Sequence, residues 1–407
     1  MRAYERLIQY ARIHTASVEN TQTTPSAARQ FVLARMLEQE MRFLGLEDVY
    51  VDEHCFVYGK IPATSPDYEA KTAIGFLAHM DTIPDFSGYN VQPRIIEHYD
   101  GKDVQLGESG RTLSPSVFPH LKELVGKTLI VTDGTTVLGA DDKAGIAEIM
   151  TLAETLRSPD APEHGAIYIA FCPDEEIGHG AALLDLDRFG AQLAYTLDGG
   201  GLGEIEYENF NAAEAELIFH GFNVHPGSGK NTMINASLVA MEFNSMLPAG
   251  ETPRDTSGYE GFYHLIEMQG DVSKARTRYI IRDHDASHFQ ARKDQMKQIA
   301  EILNEKYGCN TVLLSVRDQY RNMLEMIKPK FEVVENAMNA AAQCGLDVHP
   351  APIRGGTDGA QLSYRGLPCP NLPTGSYAHH GPFEHAVAEE MDLMVEWILA
   401  IVEEFAK

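Results

Sequence analysis

The feature that most limits the fold of this chain is a set of short runs that are apolar on both faces. Predicted helices separate these runs, and strands of this kind are typical of a mostly parallel sheet covered by helices. The predicted strands are residues 72–78, 128–132, 166–171 and 194–197. The sequence therefore predicts an α/β domain over residues 1–211.

The pattern changes between residues 212 and 318. The predicted elements there are residues 215–219, 235–246, 259–268, 275–283, 286–307 and 311–316, in the order strand, helix, strand, strand, helix, strand. This order is that of a split-βαβ, ferredoxin-like arrangement. A chain of 407 residues also exceeds the size at which one core usually stops growing. We predict an inserted α+β domain over residues 212–318, after which residues 319–407, with helices at 325–343 and 387–405, return to the first domain.

Composition argues against several classes of partner. A formal net charge of −26 would repel nucleic acid and anionic membranes. The five cysteines never form a Cys-x-x-Cys pair, so neither a disulfide framework nor a thiolate zinc site is predicted. Residues 1–13 intersperse charges among apolar residues, unlike a signal peptide. We expect a cytoplasmic protein that binds neither nucleic acid nor membrane.

Several predicted strands end in side chains that bind cations. His79 and Asp81 follow one strand, Glu175 and Glu176 follow another, and Asp198 follows a third. Because ligands of open α/β sheets bind beyond the carboxyl ends of the strands, we expect these side chains to lie close together. An imidazole there is a good zinc ligand, and a carboxylate behind it can accept its second N–H.

Two further motifs contribute ligands of the same kind. Asp141 lies at the start of a predicted helix, and His379 and His380 lie in a late loop. Each has an ordinary alternative, since aspartates cap helices and a double histidine before Gly-Pro occurs in loops. Together, histidine and carboxylate ligands without thiolates are typical of a catalytic pair of zinc ions. Hydrolysis is the chemistry that such a pair favours.

The order of these motifs resembles that of the M20 metallopeptidases. The matching motifs are His-x-Asp at 79–81, Gly-Ala-Asp-Asp-Lys-Ala-Gly at 139–145, Asp-Glu-Glu-x-Gly at 174–178, Leu-Asp-Gly-Gly at 197–200 and His-Gly-x-x-Glu at 380–384. The likeness to the family's tripeptide aminopeptidases extends over essentially the whole chain, with further matches at 208–213, 223–227, 258–264, 279–283 and 353–361. It implies a di-zinc catalytic domain, a second domain that serves as a lid or in dimerisation, and short peptides as substrates. A homodimer is therefore possible.

The resemblance also implies the ligands of each zinc ion. His79 and Asp198 would hold one ion. Glu176 and His380 would hold the other, with Asp141 bridging the two.

Two acidic residues have other implied roles, and one ligand assignment has an alternative. Asp81 would orient His79, and Glu175 would be the general base that takes a proton from the attacking water. His379 could replace His380 as ligand, because the family more often has an asparagine and then a hydrophobic or aromatic residue before the ligand histidine. The spacing to the following Gly-x-x-Glu favours His380.

Substrate-binding residues are expected in or near the second domain. The resemblance points to His225 as a donor to the oxyanion of the tetrahedral intermediate. An extended tripeptide spans only about 10 Å, so a cation at that distance could bind its terminal carboxylate and exclude longer chains. Arg282 and Arg354 are the preferred candidates, followed by Lys230. Arg282 could instead pair with a neighbouring acid, and Lys230 could simply be solvated.

Two rival functions are compatible with parts of this pattern. A dipeptidase or a deacylase of N-acyl amino acids would share the zinc chemistry, and a requirement for a free α-amine separates the aminopeptidase from the deacylase. A noncatalytic binding protein would keep the fold without the reaction. The retention of Glu175 beside the ligands argues against that second rival.

Overall fold

The structure, a computed structural model, describes residues 1–407 and separates into two units. Unit 1 comprises Met1–Tyr207, Met323–Ala351 and Thr357–Lys407, and unit 2 comprises Glu208–Asn322 and Pro352–Gly356. The boundaries predicted after residues 211 and 318 each lie four residues from those of the units. The short segment Pro352–Gly356, which was expected in the first domain, belongs to unit 2 and brings Arg354 with it.

The chain forms eighteen strands and ten α-helices. The strands are β1 Glu47–Val51, β2 Val57–Ile61, β3 Ile74–His79, β4 Arg94–Ile96, β5 Val104–Leu106, β6 Arg111–Leu113, β7 Leu129–Val131, β8 Ile167–Cys172, β9 Leu193–Leu197, β10 Glu204–Asn209, β11 Asn211–His220, β12 Phe262–Gly270, β13 Lys274–Asp283, β14 Val312–Tyr320, β15 His349–Ile353, β16 Asn371–Leu372, β17 Ser376–Tyr377 and β18 His385–Val387. The helices are α1 Ala3–Ala11, α2 Gln30–Phe43, α3 Ala140–Leu156, α4 Leu186–Phe189, α5 Ala236–Met246, α6 Ala286–Tyr307, α7 Leu324–Ile327, α8 Glu332–Gln343, α9 Asp358–Tyr364 and α10 Ala388–Ala406. None of the helices combines the length and the apolar character needed to cross a membrane.

The largest sheet has eight strands in the order β1-β2-β8-β3-β9-β16-β10-β15. Its central pairs, β8–β3, β3–β9 and β9–β16, are parallel. The pairs β1–β2, β2–β8 and β16–β10 are antiparallel. The predicted α/β class is confirmed, and the sheet is mixed, with a parallel centre that presents the carboxyl ends of β3, β8 and β9 side by side.

One apolar run does not belong to this sheet. Residues 128–132 form β7, which pairs antiparallel with β4 and β18 in a separate four-stranded sheet. All three residues of β7 are buried, and Leu129 and Val131 pack into a local cluster that includes Tyr99 and Leu121. The prediction of its place was wrong because a strand buried in a small second sheet shows the same two-faced apolar pattern as a covered parallel strand.

Two features of unit 1 depend on single residues. The helix predicted at 325–343 is interrupted by the 3₁₀ turn Lys328–Lys330, where Pro329 removes a backbone donor. Gly145 of α3 lies so close to β9 that a Cβ atom there would be 2.1 Å from the carbonyl oxygen of Leu197. This glycine lets the start of α3 approach the end of β9, which brings Asp141 towards Asp198.

Unit 2 is built on the four-stranded antiparallel sheet β12-β13-β11-β14. Buried residues alternate along β13, from Ala275 to Ile281, and pack with α5 and α6 in one hydrophobic cluster. Helix α5 begins after Asn235, whose side chain accepts a hydrogen bond from the backbone N–H of Leu238. The βαββαβ order and the strand order confirm the predicted ferredoxin-like arrangement.

Candidate metal centre

His79 lies at the carboxyl end of β3 and is only 2% exposed. Its Nε2 atom is 2.9 Å from Oδ1 of Asp141 and 3.5 Å from Oδ1 of Asp198. On the other side of the ring, Nδ1 is 3.3 Å from Oδ1 of Asp81. The backbone N–H of His79 donates to Oδ2 of Asp142. One buried imidazole is thus surrounded by carboxylates from three different segments.

The Asp141 carboxylate lies between two histidines. Its Oδ1 faces Nε2 of His79, and its Oδ2 is 3.1 Å from Nε2 of His380. The same His380 nitrogen is 3.2 Å from Oε2 of Glu176. Two groups result, His79 with Asp198 and His380 with Glu176, and Asp141 offers one oxygen to each group.

These atoms are spaced as metal ligands are. The ligand atoms of His79, Asp141 and Glu176 all lie within 4.8 Å of one another, and so do those of His79, Glu175 and Asp198. Imidazole nitrogens and carboxylate oxygens without thiolates are the donors of catalytic zinc sites. The cluster therefore fits a divalent metal site.

Buried charge perturbs the acids and bases of this cluster. Burial, reinforced by Asp198, raises the pKa of Glu175 well above its usual range. Burial also raises the pKa of Glu176 to about 7, although a hydrogen bond with His380 opposes the shift. Hydrogen bonds to Asp141 and Glu176 raise the pKa of His380 to about 11. Asp141 shows the opposite balance, since hydrogen bonds with the two histidines outweigh burial and lower its pKa. A cation would relieve the repulsion between these carboxylates.

Asp81 holds two parts of the site at once. The side chain is fully buried, and its two oxygens accept hydrogen bonds from the backbone N–H groups of Glu175, at 3.0 Å, and Glu176, at 3.3 Å. Because Oδ1 also faces Nδ1 of His79, this carboxylate links the end of β3 to the 3₁₀ turn Glu175–Ile177. A buried carboxylate in such a place is typical of a histidine that binds a metal ion.

Glu384 supports Asp141 in a way that the sequence did not predict. Its buried carboxylate accepts hydrogen bonds from the backbone N–H groups of Leu138, Gly139 and Asp141 at 2.7–3.0 Å. It thereby fixes the turn at the start of α3, where a cis peptide bond joins Asp141 to Asp142. In the sequence, the signal for a role of Glu384 was its position four residues after His380.

Asp174 and Asp358 are two further buried acids whose roles the sequence did not reveal. Asp174 accepts hydrogen bonds from the backbone N–H and hydroxyl of Ser26 and from the side chain of Gln30. Asp358 accepts one from the backbone N–H of Ala181 at 2.8 Å. Both anchor the chain around the Glu175–Ile177 turn. Asp174 lies in the motif at 174–178 and Asp358 in the matching run at 353–361, where roles were predicted only for other residues.

The two adjacent histidines of the late loop make different contacts. His379 Nε2 is 2.8 Å from the hydroxyl of Ser376, and its Nδ1 is 3.8 Å from Oδ2 of Asp141. His380 approaches the same oxygen to 3.1 Å. His380 is therefore the nearer of the two to the acidic cluster.

His225 and Lys230 lie in unit 2 and are exposed. The Nδ1 atom of His225 accepts a hydrogen bond from the backbone N–H of Gly227 at 3.1 Å. The neutral ring therefore carries its proton on Nε2, which can donate a hydrogen bond.

Arg282 and Arg354 also lie in unit 2, and they are held differently. Arg282 donates from Nη1 to the carbonyl oxygens of Ala213 and Ile281, and its guanidinium stacks on Tyr320. Its hydrogen bonds run to these main-chain oxygens rather than to the neighbouring acids. Both Nη atoms of Arg354 donate hydrogen bonds within residues 256–260.

The comparison with known proteins decides the family. The chain is 51% identical over 406 residues to peptidase T of Clostridium perfringens strain 13, covering 100% of this chain and 99% of that protein. The chain belongs to the peptidase T family. Residues 207–310 match the model of the peptidase dimerisation domain of M20 enzymes, which confirms the resemblance inferred from the motifs.

Solved structures share the peptidase T fold along their whole length. An aminopeptidase PepT from Bacillus cereus superimposes with a TM-score of 0.78 at 24% identity, covering 100% of this chain and 98% of the other. A tripeptidase from Staphylococcus aureus does so with a TM-score of 0.79 at 21% identity and the same coverage. Because both identities are below 25%, these two comparisons support a shared fold only.

Proposed function

We propose that the protein is an aminopeptidase that removes the N-terminal residue from tripeptides with the help of two zinc ions. The observation that carries the proposal is the Asp141 carboxylate, which faces His79 with one oxygen and His380 with the other. The chain that carries this carboxylate is 51% identical over 406 residues to peptidase T of Clostridium perfringens. The resemblance of the motifs to those of the tripeptide aminopeptidases supports the substrate length.

The proposed ligands follow the two groups around Asp141. His79 and Asp198 would hold one zinc ion, Glu176 and His380 the other, and Asp141 both. When bound, the two ions would supply Lewis acidity that activates a water molecule and stabilises negative charge on oxygen.

Glu175 is the proposed general base. It takes a proton from the water as the water oxygen adds to the first peptide carbonyl carbon, and it returns the proton to the amine as the C–N bond breaks. Burial raises its pKa well above the usual range, which increases the affinity of this carboxylate for the proton of the water. Asp81 holds the backbone of Glu175 and orients His79, so it is the proposed positioning residue.

The proposed substrate-binding residues are those of unit 2. His225 would donate from Nε2 to the oxyanion, since its Nδ1 is occupied as an acceptor. Arg282 is the stronger candidate for the terminal carboxylate, because its hydrogen bonds use only Nη1 whereas those of Arg354 use both Nη atoms. Lys230 is the third candidate.

Release of the N-terminal amino acid from a free and an N-acetylated tripeptide of the same sequence tests this proposal. We expect the zinc-loaded protein to cleave only the peptide with the free α-amine. Removal of the acetyl group instead would favour the deacylase of N-acyl amino acids and contradict the proposed aminopeptidase.

We also infer a homodimer, because residues 207–310 match a dimerisation domain. Light scattering of the purified protein measures the assembly directly. A mass near twice the 45.0 kDa of one chain supports the inference, and the mass of a single chain over micromolar concentrations contradicts it.

A further inference from the structure

The loop that carries His380 needs support from its surroundings. Residues 378–384 connect the antiparallel strands β17 and β18. Ala378 and His380 adopt the left-handed conformation, with φ of 55° and 64°. Residues with a side chain seldom adopt this region, so local preference does not fix the loop. Contacts from other segments must hold the imidazole of His380 in place.

Three aromatic rings meet at the base of this loop. Tyr377 and His385 are cross-strand partners, and their rings lie 5.5 Å apart. His120, from the 3₁₀ turn Pro119–Lys122, lies 4.5 Å from the Tyr377 ring at an angle of 11°. The planes of His120 and His385 differ by only 9°, and their Nε2 atoms are 3.0 Å apart. The two imidazoles are therefore joined edge to edge by a hydrogen bond.

The surroundings decide which imidazole donates. Nδ1 of His385 lies 2.8 Å from the carbonyl oxygen of Phe383, which can only accept, so this nitrogen carries a proton. His385 is fully buried, and burial lowers its pKa to about 4, so the ring is neutral near pH 7. A neutral imidazole has one N–H, which leaves Nε2 of His385 as an acceptor. Nε2 of His120 is therefore the donor.

We propose that His120 is a positioning residue for the loop that carries His380. The hydrogen bond from His120 fixes the tautomer of His385, and His385 in turn holds the carbonyl group of Phe383 at the end of the loop. Phe118 adds a second contact from the same segment, with its ring 5.4 Å from that of Phe383. Glu384 lies between Phe383 and His385 and accepts a hydrogen bond from the backbone N–H of Asp141. The contacts of His120 and Phe118 therefore support the segment that carries Glu384 as well as the loop that carries His380.

The consequence for metal binding rests on the proposed role of His380. A displaced loop would lower the affinity for the ion held by Glu176 and His380 more than the affinity for the ion held by His79 and Asp198. Outer partners of ligand residues typically contribute 10–100-fold to metal affinity. We expect about a 10-fold loss for this more distant partner.

The test compares His120→Phe, which keeps a ring but loses the donor, with His120→Gln, which keeps an N–H donor. Lys122→Gln, an exposed change in the same turn, is the control. Two quantities are measured: amide hydrogen exchange of residues 376–387 in zinc-free protein, and the affinities of the two zinc equivalents. We expect faster exchange and about 10-fold weaker binding of one equivalent in the Phe variant, with both restored in the Gln variant. Unchanged exchange and affinities in the Phe variant would overturn the proposal.

A measurement on the wild-type protein does not depend on how the variants fold. The ¹⁵N resonances of His385 should show a protonated Nδ1 and a bare, hydrogen-bonded Nε2. A proton on Nε2 of His385 would overturn the proposal. Failure of the wild type to bind two zinc ions would instead count against the proposed function, while hydrogen exchange would still decide the role of His120.

Discussion

Nε2 of His380 lies 3.1 Å from Oδ2 of Asp141, although 239 residues separate them in the chain. The second oxygen of the same carboxylate faces His79. An asparagine at position 141 would have the same shape but neither the charge nor a second acceptor oxygen. We expect Asp141→Asn to retain fewer than two zinc ions per chain after dialysis and to lose at least about 100-fold in activity. Elemental analysis measures the zinc, with the exposed Asp187→Asn as control; two retained ions would contradict the bridging role.

Glu175→Gln separates the base from the ligands. The amide is close in size to the carboxylate but cannot accept the proton from water, and general base catalysis typically contributes about 10²–10⁴-fold. We expect kcat to fall by that factor while the zinc content stays at two per chain. Steady-state kinetics and elemental analysis on one preparation measure both. A kcat within a few-fold of wild type would remove Glu175 as the base.

Glu384→Gln tests how the Asp141 turn is held. The Glu384 carboxylate accepts hydrogen bonds from three backbone N–H groups, whereas an amide has one acceptor oxygen and would turn an NH₂ group towards a donor. Because buried hydrogen bonds to a charged group are worth about 1.5–3 kcal/mol each, we expect the free energy of unfolding to fall by about 2–3 kcal/mol. Urea denaturation of the zinc-free protein measures this. A change below about 0.5 kcal/mol would show that the turn does not depend on this carboxylate.

Glu148 of α3 predicts a dependence of stability on pH. Its side chain is fully buried, neither oxygen has a hydrogen-bond partner, and burial raises its pKa well above the ordinary 4.5. The native carboxyl group therefore keeps its proton at pH values where the unfolded chain releases it. The contribution of this group to the free energy of unfolding is fully present below pH 4.5. Above that pH the free energy of unfolding decreases by about 1.4 kcal/mol per pH unit, until the native group ionises.

Glu148→Gln removes this titration. We expect the variant to gain stability relative to wild type as pH increases from 4 to 8. Denaturant unfolding across that range measures the difference, with the exposed Glu396→Gln as control. A difference that does not vary with pH would show that Glu148 does not titrate differently in the two states.

The sequence predicted the part of the site that lies where strands end. His79, Glu175 and Asp198 follow apolar strands, and the parallel centre of the sheet brings such ends together. Glu384 and His120 could not be predicted in the same way, because their partners are distant backbone groups or a ring 265 residues away. The sheet to which β7 belongs was predicted wrongly, because an apolar run indicates that a strand is buried but not which sheet contains it.

The measurement that tests the central claim most directly is kcat/KM for a dipeptide, a tripeptide and a tetrapeptide with the same N-terminal residue. The zinc-loaded protein is predicted to release that residue most efficiently from the tripeptide. Because one tenfold step in kcat/KM corresponds to about 1.4 kcal/mol, recognition of the terminal carboxylate should separate the tripeptide from both neighbours by at least that factor. Equal efficiency across the three lengths, or a preference for the dipeptide, would contradict the account.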